Sequence, residues 1–281
     1  MTASEEDDVS NPVRLVIADV DGTLITPDKA LTPDARAAVQ RVIEAGIAFT
    51  ITSARPPLGL KALIDDLQLE HPVGASNGGL LVRPDLSVIR EYSVPSETAK
   101  AVIDILTWGT LDVWVHSARD WYVRSRHGPH VAREEETVGF SPTEVSSFEE
   151  LPDGIVKIVG VTDDRDAMAR CVAEVHQQLG QHVFAALSQP YYFDVTHPKA
   201  NKGEVVKALS VHLGIPTAQI VTVGDMSNDV AMFVESGVSI AMGNATPEVQ
   251  SAATFVTKSN AEEGFARAMD RFILQGDARG T

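Results

Sequence analysis

Positive charge is scarce in this chain. Its 281 residues carry 23 Lys and Arg against 39 Asp and Glu, a formal net charge of −16. So acidic a balance argues against a nucleic-acid or anionic-membrane partner, and any anion site must be locally positive against the general field. Cysteine is reduced to Cys171, so no internal disulfide can form, which fits a reducing cytoplasm. No apolar run approaches the ~20 residues of a membrane-spanning helix. The opening Met-Thr-Ala-Ser-Glu-Glu-Asp-Asp is acidic where a signal peptide would be basic, and residues 1–11 are expected to form a disordered, solubilising tail. Aromatics are few and unevenly placed: all three Trp and all four Tyr lie between Tyr92 and Tyr192. No repeat of fixed period is visible.

What is present starts at Asp19-Val20-Asp21-Gly22-Thr23-Leu24. It follows a short apolar run, Val13 to Ala18, that reads as a buried strand. Strand interiors avoid Asp, and two carboxylates this close repel unless a cation or a shared proton relieves them. Mg²⁺ takes one or two carboxylates together with phosphate oxygens, and Asp can form an aspartyl-phosphate. The duller reading is an Asp-Gly turn closing a strand.

Further along, Thr32-Pro33-Asp34 reads as a helix start, Gly46 as a helix stop and Ile47 to Thr52 as a strand. A helix from about Leu58 to Leu69 and a short strand into Ser76-Asn77-Gly78-Gly79 extend a βαβ pattern, which predicts a parallel sheet with helices on both faces. From about Pro84 the texture changes to short strands, Val88 to Val94, Val113 to His116 and Trp121 to Arg124, the last two joined by a tight turn. Antiparallel pairing there predicts a second sheet, an α+β domain inserted into the first. The βα texture returns at Asn201-Lys202-Gly203. The expected division is therefore 12–84 with 197–281 as one domain and 85–196 as the other.

Four polar clusters sit at strand ends or helix starts of the βα parts: Asp19 with Asp21, Ser53, Lys202, and Asp225 with Asn228 and Asp229. In an open parallel sheet that edge binds ligands. A mechanism can be written on them. Asp19 attacks phosphorus, and Asp21 protonates the leaving oxygen and later deprotonates a water. Mg²⁺ on Asp19, the Asp21 carbonyl and Asp225 offsets the charge. Ser53, Asn228 and backbone amides near Val20 and Ala54 hold phosphoryl oxygens, and Lys202 neutralises charge. Arg55, Asn77 and Asp229 stand as residues that touch substrate or support these ligands. Singly, Ser53 is more often a turn residue, Lys202 a solvated lysine and Arg55 an ion-pair partner; jointly such readings would all have to hold on one sheet edge.

The segments Asp19 to Leu24, Thr52-Ser53-Ala54-Arg55-Pro56, Ser76 to Gly79, Asn201-Lys202-Gly203 and Gly224-Asp225-Met226-Ser227-Asn228-Asp229 together resemble the haloacid dehalogenase superfamily of phosphohydrolases, specifically its Cof-type branch. Ile240 to Ala245 and Val256 to Gly264 are similar to that branch's ending. The resemblance implies a Rossmann-like core with an inserted α/β cap, Asp19 as nucleophile, Asp21 as acid/base and Mg²⁺ as cofactor. Ser53-Ala54 stands where Thr-Gly is commoner, which keeps the hydroxyl. The expected activity is hydrolysis of small phosphorylated metabolites, sugar phosphates foremost, by a cytoplasmic monomer or homodimer. A phosphosugar mutase or a pyridoxal phosphate phosphatase is the alternative, and a phosphorylated receiver domain or a non-catalytic binder is the rival outside enzymes of this kind. His116, Arg119, Arg124, Arg126 and His127 are the expected polar groups of the inserted region, and His127 to Glu150 matches no recognisable pattern.

Overall fold

The computed structural model describes residues 13–149, 151 and 154–275, so the expected tail over 1–11 lies outside them. Strand β1 (Leu15–Asp19) is buried along its whole length, as a strand covered on both faces must be. Helix α1 (Pro33–Glu44) is opened by Thr32, whose hydroxyl accepts from the Ala35 N–H at 3.0 Å, and it buries Ala35, Ala38, Val39 and Val42. There follow β2 (Ala48–Thr52), α2 (Lys61–Asp66), β3 (Val73–Ala75), β4 (Leu80–Val82), β5 (Val88–Glu91) and α3 (Ser96–Trp108). Next come β6 (Asp112–His116), β7 (Trp121–Val123), α4 (Val131–Val138), β8 (Thr143–Glu144), β9 (Lys157–Val161), α5 (Arg165–Leu179), β10 (Phe184–Gln189) and β11 (Tyr192–Thr196). The chain continues through α6 (Lys202–Leu213), β12 (Ile220–Gly224), α7 (Val230–Glu235), β13 (Val238–Ala241), α8 (Pro247–Ser251), β14 (Phe255–Val256) and α9 (Gly264–Ala268).

The strands form two sheets. The larger runs β14-β13-β12-β1-β2-β3-β4-β5, parallel from β14 to β3 and antiparallel beyond. Helices cover both of its faces, so the expected α/β architecture with a parallel central sheet is what the chain adopts. The second sheet runs β10-β11-β9-β6-β7-β8 and is antiparallel except between β7 and β8.

One strand departs from the expected grouping. β5 was placed with the second sheet, yet it pairs with β4 at the edge of the first. A tight reversal causes this: Arg83 N–H donates to Ser87 O at 2.9 Å, and Asp85 accepts from the Ser87 N–H at 2.9 Å. The first sheet therefore runs on to Glu91.

Alternation along the second sheet separates its two faces. Val113, Val115, Ile158, Phe193 and Val195 pack under α3 and α5. Trp114, Val159, Val161 and Tyr192 point the other way and pack with Val131 and Val138 of α4. Lys157 and Asp194 share that second face by the same period of two. Among the described residues no helix is long and apolar enough to cross a membrane.

Candidate active site

β1, β2 and β12 lie side by side, so their C-terminal ends deliver Asp19, Ser53 and Asp225 to one edge. The chain turns sharply after Asp19, with the Val20 carbonyl accepting from the N–H groups of Thr23, Leu24 and Ile25 at 3.0–3.3 Å. Gly22 sits in this turn at φ +87°, and a Cβ there would lie 2.2 Å from Asp225 Oδ2. Only glycine lets the two loops approach so closely.

Lys202 opens α6 and is almost wholly buried. Its ammonium donates to Asp19 Oδ1 and Asp229 Oδ1, both at 2.6 Å. The other Asp229 oxygen accepts from the N–H groups of Asp225 and Met226, each at 2.9 Å, so Asp229 orients the lysine and ties down the loop after β12. Asp225 accepts from the Thr23 hydroxyl and from Asn244 Nδ2, each at 3.1 Å. Asp19, Asp225 and Asp229 each offer a carboxylate oxygen within 4.8 Å of the others, and all three are buried. Burial foremost, then the neighbouring carboxylates against the pull of Lys202, raises Asp19 to about 7. Burial, Asp19 and Asp229 push Asp225 well above the usual range. Three buried carboxylates against one ammonium leave an excess of negative charge, which a divalent cation fits. Asp229 thus joins this cluster, whereas the Asp21 side chain, expected beside the metal only through its backbone, turns elsewhere.

Asp21 is instead engaged by cations. Arg55 Nε and Nη2 grip its two oxygens at 2.7 Å each, and Lys29 Nζ lies 2.6 Å from Oδ1. Burial would raise this carboxyl, but the Arg55 and Lys29 contacts together hold it well below the ordinary range. Arg55 also donates to the Thr137 carbonyl of α4 at 3.2 Å, which makes it a bridge to the second sheet's side.

Ser53 is buried; its hydroxyl accepts from the Arg55 N–H at 3.1 Å. Lys157 of β9 donates to the Ala54 carbonyl at 2.7 Å. Asn77, at φ +56°, donates to Asp194 of β11 and accepts from Asn228 Nδ2 at 2.9 Å. The Ser227 hydroxyl donates to the Leu187 carbonyl at 3.0 Å. The two loops expected to bind phosphate are therefore both fastened to the second sheet.

Asp19, Asp21, Ser53, Ala54, Arg55, Lys202 and Asn228 line one cavity of about 40 Å³. Its opposite wall comes from α4, β9, β10 and the start of β11, including Glu134, Lys157, Tyr191 and Tyr192. This wall is not the one expected. His116 is buried and stacked on Trp121 with neither ring nitrogen hydrogen-bonded, and Arg119, Arg124, Arg126 and His127 do not line the cavity. His116 shares the face of Lys157, its partner across β6 and β9, but its ring is taken up by the stack on Trp121. Thr23 and Asn244 lie in segments that carry the family resemblance but had no role of their own there, whereas Lys29 and Glu134 carried no sequence signal that separated them from ordinary loop or helix residues.

The haloacid dehalogenase-like hydrolase family profile matches residues 16–269. A 5-amino-6-(5-phospho-D-ribitylamino)uracil phosphatase of Bacillus subtilis (strain 168) is 27% identical over 289 aligned positions, covering 93% of this chain and 98% of its own. Two solved structures share the fold: a haloacid dehalogenase-like hydrolase from B. subtilis, with a TM-score of 0.83 at 20% identity, covering 92% of this chain and 99% of that one; and a subclass IIB sugar phosphatase, with a TM-score of 0.80 at 20% identity and the same coverages. A match that runs almost from end to end, on a sheet edge that gathers the expected acidic and basic side chains, places this chain in the haloacid dehalogenase-like hydrolase family.

Proposed function

We propose that the protein is a Mg²⁺-dependent phosphatase that hydrolyses small phosphorylated metabolites, sugar and polyol phosphates foremost, through an aspartyl-phosphate. The observation that carries this reading is the buried Asp19 carboxylate, held by Lys202 at 2.6 Å beside Asp225 on the wall of one cavity. The names of the ribitylaminouracil phosphatase and the sugar phosphatase support this substrate class.

In the first step an Asp19 oxygen attacks phosphorus, the bond to the leaving oxygen breaks, and Asp21 gives that oxygen its proton. In the second, water attacks the phosphorus, passes a proton to Asp21, and the bond to Asp19 breaks to release orthophosphate. Lys202, the Ser53 hydroxyl, Asn228 and the amides of Val20 and Ala54 hold the phosphoryl oxygens. Asp19, Asp225 and the Asp21 carbonyl would hold the metal, with Asp229 behind them; bound there, Mg²⁺ supplies positive charge that offsets the repulsion between carboxylate and phosphate.

The state of Asp21 bears on the order of events. Arg55 and Lys29 hold it ionised, which suits the base of the second step but not the acid of the first. A cavity of about 40 Å³ has room for about three waters at ~10–15 Å³ each. No sugar phosphate enters without moving Arg55 or the wall it bridges to. On this reading it is Arg55 that moves, which would free Asp21 from its grip at the point where Asp21 must carry a proton. Residues 92–196, between the end of β5 and the end of β11, then act as a cap.

Orthophosphate release from a panel of phosphorylated metabolites, with Mg²⁺ and with excess chelator, tests the proposal. Mg²⁺-dependent release is expected; full activity in chelator, or isomerised product without phosphate release, would contradict it.

A further inference from the structure

α4 has an apolar stripe interrupted by an acid. Val131 and Val138 are buried on one face, and Glu134 falls between them at the helical spacing of that face. A carboxylate there needs a partner, and the protein provides little. Glu134 Oε2 accepts from the Tyr192 hydroxyl at 3.2 Å; among the described residues Oε1 has no hydrogen-bond donor, and no cation lies within ion-pair distance of either oxygen. Burial foremost, against the pull of Lys157 and Arg55, raises this carboxyl above its ordinary range.

The position is rigid rather than accidental. Arg55 pins the Thr137 carbonyl one turn further along α4. Tyr192 is wedged between Glu134 and Trp114, whose rings lie 5.0 Å apart at the centroids. Glu134 lines the same cavity as Asp21, on the wall opposite the expected phosphate ligands. The nearby cations are already engaged: Lys202 by Asp19 and Asp229, Arg55 and Lys29 by Asp21, and Lys157 by the Ala54 carbonyl with Asp194 at 3.7 Å. Arg133, exposed, stands over the Tyr191 ring at the rim.

We propose that Glu134, held by Tyr192, is the specificity-determining residue for the leaving group, accepting hydrogen bonds from its hydroxyl or amino groups and disfavouring a second anionic group. The inference rests on the phosphatase reading and narrows it to monoesters of small polyols or amino alcohols. Removing an acceptor of this kind leaves ligand donors unpaired, which costs about 10–100-fold in affinity for a charged hydrogen bond.

The test compares kcat/KM of the full-length wild type, Glu134→Ala and Glu134→Gln on three esters: a hexitol phosphate, p-nitrophenyl phosphate, whose leaving group bears no donor, and a sugar bisphosphate. In Glu134→Ala, the hexitol phosphate is expected to fall about 10–100-fold further than p-nitrophenyl phosphate, mostly through KM, while the bisphosphate gains on both. The near-isosteric Glu134→Gln keeps an acceptor, so it should retain more of the hexitol preference yet show the same gain for the bisphosphate. It also reads the idea if the alanine variant folds poorly. A parallel fall on all three esters, or an unchanged ranking in either folded variant, overturns the assignment. Wild type that releases phosphate from none of them overturns the phosphatase reading itself, and this inference with it.

Discussion

Replacing Lys202 with Met keeps most of the buried stem and deletes only the charge, so it isolates what the ammonium does. Nζ lies 2.6 Å from Asp19 and 2.6 Å from Asp229, with Asp225 in the same cluster and almost no solvent near any of them. Removing one partner of a buried ionic group costs about 3–5 kcal/mol, because the remaining charges stay buried without compensation. Metal-free urea unfolding at pH 8 should show that loss. The pH dependence has a definite sign. Asp19 is raised in the folded state from the ordinary carboxylate range to about 7, so the folded protein binds more protons than the unfolded chain between about pH 4 and pH 7. Its contribution therefore falls as pH rises through that window. At pH 5 Asp19 is largely neutral, Asp225 is shifted in the same direction, and the penalty of Lys202→Met should shrink. Millimolar Mg²⁺, binding the folded state alone, should recover part of it at pH 8. A variant within about 1 kcal/mol of wild type at pH 8 without metal would refute the reasoning. So would a penalty that grows on acidification.

Other outcomes follow from the same geometry. Asp19→Asn, nearly isosteric but a poor nucleophile, should release no orthophosphate above background while its circular dichroism is unchanged; substantial turnover by the folded variant would remove Asp19 from the chemistry. Gly22→Ala puts a Cβ 2.2 Å from Asp225 Oδ2 in a left-handed turn, and displacing that carboxylate by even ~1 Å should lower kcat about 10²-fold, with stability measured alongside. Asp194→Ala strips Asn77 of its acceptor across the two sheets. It should lower stability by about 1–3 kcal/mol and reduce kcat more than it raises KM; a pure KM effect would place Asp194 in binding rather than in holding the phosphate loops.

The parallel sheet was legible because its strands are short apolar runs ended by Asp, Ser or Gly, and its helices begin at Thr32 or Asn201 and stop at Gly46 or Gly214. Each of those residues acts within a few positions of itself. The placement of β5 was not legible on the same terms. Val88 to Glu91 is half exposed and mixed in polarity, so its residues do not distinguish an edge place on one sheet from a place on another. The turn at Arg83–Ser87, whose bonds close only when the hairpin forms, decides the matter. α4 was missed for a related reason: it shows only Val131 and Val138 to the interior, and three successive glutamates read as solvated surface.

The same divide runs through the site. Asp19, Asp21, Ser53, Lys202 and Asp225 sit where a strand ends or a helix begins, so a parallel sheet gathers them whatever else the chain does. Residues of the opposite wall have no such rule behind them. Glu134 reaches the cavity because α4 is pinned at Thr137 by Arg55 and wedged against Tyr192, contacts that span 82 and 58 positions of sequence. Lys157 reaches it because β9 alternates, and the register of β9 with β6 and β11 decides which face it joins. His116 shows the converse: it shares the face of Lys157, yet its ring is spent in a stack on Trp121 and does not line the cavity. Chemistry common to phosphate esters is thus written at strand ends, where local signals suffice. Discrimination among esters, on the proposal for Glu134, depends on long-range packing, which is why that residue could be found only once the second sheet and α4 were set against the strand-end edge of the first.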